Sequence, residues 1–254
     1  MHNYKNKVLL GDCLELMKDI PDASIDMILC DLPYGTTSNK WDAVIPFDKL
    51  WEQYERIIKS NGVITLTASQ PFSSALVMSN PKMFKHEWIW LKNRGSNFAN
   101  TVREPFKEHE QVLIFSNGKW TYNKQMQQRT GAGADRVKYD LNHRSKSENY
   151  REFEGREGVK LPEMRVPSSW QKFNTDTSKL HPTIKPLALF EYLIKTYTND
   201  GDIVLDNCAG SGTTGIACLN TKRNYILMEK EQKYFDVINK RIQDYNQAKS
   251  EALF

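Results

Sequence analysis

Residues 203–215 read Ile-Val-Leu-Asp-Asn-Cys-Ala-Gly-Ser-Gly-Thr-Thr-Gly, so β-formers run into an acid, then a turn of small residues, then residues able to open a helix. Glycines at such a joint let backbone N–H groups come close to a ligand. Gly210, Gly212 and Gly215 also fit the spacing of a dinucleotide fingerprint. Asp206 argues against that reading, because a carboxylate at the strand tip repels a pyrophosphate. No Lys follows the glycines, so a phosphate-cradling P-loop is excluded as well. An acid beside this turn suits a nucleoside-containing ligand that carries positive charge. S-adenosylmethionine, with its ammonium and sulfonium, is such a ligand.

Three other tips have polar residues where a strand pattern stops: Gly11-Asp12-Cys13, Asp31-Leu32-Pro33-Tyr34, and Glu229. Glu229 closes the strand after the glycine turn and is placed to accept hydrogen bonds from ribose hydroxyls. An acid at a strand end is often only a helix cap. Finding four such tips in one chain weakens that plainer explanation, because open α/β sheets bind ligands at the carboxyl ends of their strands.

The elements that must position these tips alternate. Strand patterns at 8–10, 24–30 and 63–67 are separated by a short amphipathic helix from 13 to about 18 and a longer one over 47–59. Phe47, Leu50, Trp51, Tyr54, Ile57 and Ile58 give that longer helix its period, and Asn61-Gly62 is expected to end it. Pro71 is expected to start the next helix. Strands at 86–91 and 110–116 flank a polar loop over 93–106. After 180 the pattern is helix 187–197, strand 203–206, helix 213–219, strand 225–228 and a last amphipathic helix. Strands alternating with helices predict an α/β fold with a mostly parallel sheet covered on both faces.

Between 117 and 179 no sustained apolar period is found. These 63 residues hold 13 Lys or Arg against 8 Asp or Glu, a local surplus larger than the +4 of the whole chain. A solvated insertion is the plain reading. The sharper one is a polyanion-binding insertion in which Arg129, Arg136, Lys138, Arg144, Lys146 and Arg151 neutralise phosphates. Tyr122, Tyr139, Tyr150 and Trp170 are interleaved, as contacts to bases or sugars require.

Composition bounds the rest. The chain has 254 residues, 39% of them hydrophobic and 26% charged, with a mean hydropathy of −0.62. One large core with an insertion is the natural prior. No apolar run is long enough for a membrane span. The N-terminus shows no cleavable signal pattern, and the cytoplasm is the expected location. Cys13, Cys30, Cys208 and Cys218 show neither Cys-x-x-Cys pairing nor metal-ligand spacing, so reduced thiols and no metal are expected.

Asp31-Leu32-Pro33-Tyr34, then His181-Pro182-Thr183-Ile184-Lys185-Pro186, then Asp206-Asn207-Cys208-Ala209-Gly210-Ser211-Gly212-Thr213-Thr214 resembles the amino-methylating DNA methyltransferases. The order, with the catalytic tetrapeptide first, the variable basic segment next and the cofactor loop last, is similar to the β-class, adenine-specific arrangement. The resemblance covers the chain outside 117–179. It implies a Rossmann-like, S-adenosylmethionine-dependent methyltransferase fold in circularly permuted motif order. The expected parts are a catalytic half over 1–116, a target-recognition insertion over 117–179 and a cofactor-binding half over 180–254.

The family tetrapeptide has Asp, Asn or Ser, then Pro-Pro, then an aromatic; here Leu32 stands at the first Pro, a position that acts through its carbonyl. Asn207-Cys208 stands where Pro-Phe is common. Asp31 favours adenine over cytosine. The resemblance implies that the target base is flipped out, that Tyr34 stacks on it, and that Asp31 with the carbonyl of Leu32 or Pro33 accepts hydrogen bonds from its amine. It assigns the cofactor to Asp12, Cys13, Asp31, His181, Thr183, Lys185, Asp206, Cys208, Gly210, Ser211, Gly212, Thr213 and Glu229. Within that set Lys185 takes the methionine carboxylate, and Asp206 or Asp31 takes its ammonium. The 93–106 loop, with Arg94, Asn97, Asn100 and Arg103, is expected either to touch the DNA or hold the flipped base, or to be a plain loop. The implied partners are double-stranded DNA, a second copy of the chain and a companion restriction endonuclease, in a bacterial or phage setting. The rival readings are a cytosine amino methyltransferase, an RNA methyltransferase, a catalytically silent DNA-binding protein and an NAD-dependent oxidoreductase.

Overall fold

The computed structural model describes residues 4–37, 39, 42–130, 163–178 and 180–251. Strand β1 (Lys7–Leu10) leads into helix α1 (Cys13–Met17), and β2 (Ile25–Cys30) into α2 (Phe47–Ile57). Then come β3 (Ile58–Ala68), α3 (Phe72–Ser79), β4 (Phe84–Leu91) and β5 (His109–Phe115). Two short strands, β6 (Gln127–Gln128) and β7 (Met164–Arg165), precede β8 (Trp170–Lys172). Helix α4 (Leu187–Tyr197), β9 (Ile203–Asp206), α5 (Thr213–Asn220), β10 (Asn224–Glu229) and α6 (Gln232–Glu251) complete the order.

Eight strands form one sheet in the order β1-β10-β9-β2-β3-β5-β4-β8. Every neighbouring pair is parallel except β3 with β5 and β5 with β4. Alternate side chains along each strand feed opposite faces. Ile28, Cys30, Ile64, Leu66, Leu205 and Met228 pack beneath α1, α2 and α3. Met27, Leu29, Val63, Val204 and Leu227 pack beneath α4, α5 and α6. Helix α2 buries Leu50, Trp51, Tyr54 and Ile57 on one stripe, each contributing about 1.5–3 kcal/mol.

The connection from β2 to β3 through α2 runs across one face, and that from β9 to β10 through α5 across the other. The sheet therefore changes winding direction between β9 and β2, which leaves a crevice at their carboxyl ends. Asp206 ends β9, and Asp31 follows β2 directly.

Two expectations are corrected. Helix α2 does not run to Asn61-Gly62: it stops at Ile57, and β3 begins at Ile58. Gly62 lies within β3, where a side chain would meet Ile58 at 2.7 Å. A register irregularity between Ile25 and Met27 absorbs the early start of β3. The stretch 117–179 also contributes regular structure: Trp170–Lys172 adds β8 in parallel to β4. The chain divides into one compact unit of Met1–Asn123 with Ser169–Phe254, and a second of Lys124–Ser168 that carries the β6–β7 pair. Arg136, Lys138, Arg144, Lys146, Arg151, Tyr139 and Tyr150 lie outside the described residues.

Candidate active site

An open cleft of about 1020 Å³ lies over the carboxyl ends of β1, β10, β9, β2 and β3 in the larger unit. Asp12, Cys13, Asp31 to Tyr34, His181, Thr183, Lys185, Asp206, Cys208, Gly210, Ser211, Thr213 and Glu229 all line it. The sequence-chosen positions thus meet in one place. Gly212 is not among the lining residues; it is the N-cap of α5, at φ 78°.

Asp31 is held from three sides. Lys185 Nζ donates to Oδ2 at 2.5 Å, the Tyr34 hydroxyl to Oδ1 at 2.9 Å, and the Thr67 hydroxyl also to Oδ1. Lys185 stands 3.7 Å from Glu110, and Glu110 is paired in turn with Lys92. Charges alternate along Asp31, Lys185, Glu110 and Lys92. Burial by itself would lower the Lys185 pKa, but the Asp31 and Glu110 carboxylates override it and hold the ammonium above its usual range. Sequence reasoning chose Lys185 for a cofactor carboxylate; its partner here is Asp31.

Tyr34 stacks on Phe72 with ring centroids 4.9 Å apart, and Lys185 lies 5.8 Å from its centroid. Burial and the Asp31 charge push its phenol well up, so it stays a donor. The turn after Tyr34 is fixed by Asp42, whose carboxylate accepts from the backbone N–H groups of Gly35, Thr36 and Thr37 at 2.9, 2.9 and 2.6 Å. Partial burial works against it, but the Thr37 side chain and those backbone bonds together hold the Asp42 pKa below the ordinary carboxylate value.

At the glycine loop, Asp206 accepts from Cys208 N at 3.1 Å and from the Thr214 hydroxyl. Burial pushes Asp206 up to about 7, against those bonds. Glu229 accepts from Gly210 N and from Glu231 N, both at 2.8 Å, one on each oxygen. Its carboxylate thus braces the loop and keeps acceptor capacity for a ligand. Burial raises its pKa too. Asp12 caps α1 by accepting from Leu14 N at 2.9 Å, so the helix-cap explanation holds for this tip. His181 Nδ1 accepts from Thr183 N at 3.3 Å, and its ring lies 4.4 Å from that of Tyr234. Burial lowers the His181 pKa.

The four cysteines are free thiols. Burial pushes Cys30 up to about 12, and a hydrogen bond with Cys208, then burial, raises Cys13. Among the described residues no group of His, Cys, Asp and Glu could hold a metal, and no helix is long and apolar enough to cross a membrane.

Several supporting residues escaped the sequence reading. Thr67 lies on β3 and Lys92 directly follows β4, strands whose register cannot be known from one chain. Glu110 enters the cleft because β5 runs antiparallel, which brings its first residues to the carboxyl ends of the parallel strands. Tyr54 donates to Asn207 Oδ1 at 2.6 Å from helix α2, and Arg241 of α6 donates to Ser211 O at 2.6 Å. No local motif signals either. Among the DNA candidates, Arg94 and Arg103 are exposed. The Asn97 amide is engaged within its own loop, and Arg129 donates to Met164 O within the smaller unit.

Residues 25–240 match the model of a family described as DNA methylase, of the N6/N4 type. The chain belongs to this family. It is a DNA methyltransferase of the N6/N4 amino-methylating kind, and the methyl donor of the family is S-adenosylmethionine. The chain is similar to the Type II methyltransferase M.HinfI of Haemophilus influenzae, with 29% identity over 96% of this chain and 70% of that one. It is similar to M.HpaI of Haemophilus parainfluenzae as well, with 26% identity over 93% of this chain and 74% of that one. Among solved structures, M1.HpyAVI in complex with S-adenosylmethionine matches with a TM-score of 0.62 and 27% identity, covering 92% of this chain and 98% of that one. The cytosine-N4-specific PvuII methyltransferase shares the fold, with a TM-score of 0.66 at 16% identity. That chain is covered to 85% and this one to 92%.

The residues present fit the cofactor. Asp206 is a buried acid suited to a cation, and Glu229 keeps acceptor capacity suited to ribose hydroxyls. The cleft walls carry the ring of Tyr234.

Proposed function

We propose that this methyltransferase modifies the exocyclic N6 amine of an adenine that has left the DNA helix. S-adenosylmethionine supplies an electrophilic methyl group on a sulfonium. Asp206 and Glu229 hold the cationic and ribose portions at the glycine loop, and His181, Thr183 and Lys185 line the methionine end. An amine inside a duplex cannot reach the floor of this cleft, so the base must be extruded. Tyr34, backed by Phe72, offers the aromatic face for it.

The observation that carries this reading is the state of Asp31. Among the described residues, its Oδ1 already receives Tyr34 and Thr67, whereas Oδ2 receives Lys185 alone and retains a lone pair. An incoming amine donates to Oδ2 and to the carbonyl of Leu32 or Pro33. Both bonds draw the nitrogen lone pair out of conjugation with the ring and aim it at the methyl group. Orientation and fixed charge then supply the acceleration. The choice of adenine rests on the family resemblance, in which Asp at this position is usual for adenine and Ser for cytosine amino methylation.

The test is nucleoside mass spectrometry of unmethylated genomic DNA incubated with the protein and S-adenosylmethionine, beside Asp31→Ala. Because Asp31 also neutralises Lys185, cofactor binding is titrated in both proteins. N6-methyladenine from the wild type alone, with binding retained in the variant, is the expected result. N4-methylcytosine would transfer the reading to cytosine with the chemistry unchanged. No methylated base in DNA would sink it.

A further inference from the structure

The loop between β4 and β5 is built to hold its shape. Lys107 N donates to Asn97 Oδ1 at 2.7 Å, Asn97 Nδ2 to Pro105 O at 3.0 Å, and Ser96 N to Lys107 O at 3.2 Å, which closes the loop on itself. The Phe106 ring packs so closely on Gly95 that a Cβ there would meet it at 2.7 Å. The base of the loop is tied down as well, since Asn93 Oδ1 accepts from Thr175 N at 2.8 Å.

The tip contains a short 3-10 turn, Phe98–Asn100, bonded through Asn100 N to Asn97 O at 2.9 Å and Arg103 N to Asn100 O at 2.9 Å. On this constrained tip Phe98 is 83% exposed and Val102 91% exposed. A lone surface apolar residue needs no explanation. Two on one internally bonded loop are different when Ser96, Asn97, Asn100 and Glu104 of the same loop line the cleft that holds Asp31. Arg94 and Arg103 flank them, exposed and positively charged.

We infer that Phe98 and Val102 form an apolar wedge that enters the base stack of duplex DNA at the step the target base vacates, with Arg94 and Arg103 meeting the adjoining phosphates. The inference rests on the extruded-base reading above. Apolar side chains inserted at a base step offset the unstacking that extrusion requires. The internal bonding of the loop means the wedge is already ordered before DNA arrives, so little entropy is lost on insertion. The exposed residues Phe98, Val102, Arg94 and Arg103, two apolar and two cationic, have the chemistry of a duplex partner.

The experiment compares the wild type with the double variant Phe98→Ser/Val102→Ser in single-turnover methylation. One substrate is a fully paired duplex carrying the site mapped by sequencing methylated genomic DNA. The other is the same duplex with an abasic site opposite the target base, where the unstacking cost is already met. Both substitutions are on exposed positions, and thermal melting checks that the fold is kept. The variant is expected to be slower by about tenfold or more on the paired duplex and within about twofold of wild type on the abasic duplex. Equal loss on both substrates would overturn the wedge in favour of a plain surface contact, and no loss on either would overturn it outright. Dissociation of a dimer in the variant, seen by sedimentation, would reassign the face to a second copy of the chain. A wild type that methylates neither duplex would sink the function reading and the wedge with it.

Discussion

Asp206 is an acid whose burial lifts it from 3.8 to about 7, although Thr214 and Cys208 both donate to it. The folded chain therefore binds a proton there that the unfolded chain releases between about pH 4 and 7, and this contribution to stability falls as pH rises through that window. A cation in the cleft reverses the preference, because it favours the ionised acid. Affinity for S-adenosylmethionine is expected to climb with pH toward 7, by up to about tenfold per pH unit, and to level off above it. Calorimetric titration at several pH values measures this, and Asp206→Asn should flatten the rise while weakening binding. A rise of undiminished slope in the variant would assign the proton to another group. At this scale the sequence was legible where a motif names the residue, as at Asp31 and Asp206. It was silent on Thr67 and Glu110, which reach Asp31 and Lys185 only through the sheet.

Element geometry explains why the glycine loop tolerates little change. Gly212 has φ 78° as the N-cap of α5, and a Cβ there would stand 3.0 Å from Ile238 of α6. A left-handed conformation costs a residue with a side chain about 1–2 kcal/mol, and Ile238 would also have to yield. Gly212→Ala is expected to destabilise the protein by at least that amount and to weaken cofactor binding, read from urea unfolding and from titration of the same sample. An unchanged midpoint and affinity would show that the loop relaxes freely. Most element boundaries were legible because burial imprints a period on the sequence. The end of α2 was not. Asn61-Gly62 carries the composition of a helix stop, yet Ile58 pairs with Ile25 and draws that segment into β3. Pairing with a partner strand overrode the local signal.

The molecule as a whole keeps the cleft over Asp31 and Asp206 within one compact unit and concentrates basic sequence elsewhere. Unit Lys124–Ser168 lies inside the stretch whose cationic surplus exceeds that of the full chain. If these residues neutralise DNA phosphates, each phosphate no longer neutralised reduces the slope of log affinity against log salt by about 0.9. Replacing Arg136, Lys138, Arg144 and Lys146 with Gln is expected to lower that slope and to leave S-adenosylmethionine affinity unchanged, as measured by fluorescence anisotropy with duplex DNA and by calorimetry. A salt slope equal to that of wild type would remove these residues from the DNA interface. The permuted order of the motifs is closed at this scale too. β10 pairs in parallel with β1, so the end of the chain completes the sheet at its beginning.

The sequence by itself determined the alternation of strands and helices, the two acid-bearing loops, and their permuted order. Each of these is written in short-range periodicity or in a contiguous motif. Only the tertiary structure decided which charges meet. The antiparallel turn of β5 brings Glu110 to Lys185, the reversal of winding between β9 and β2 sets Asp206 and Asp31 over one crevice, and the 93–106 loop closes so as to hold Phe98 and Val102 outward. Those pairings join residues far apart along the chain, and their partners are selected by strand register and packing, which no local pattern records.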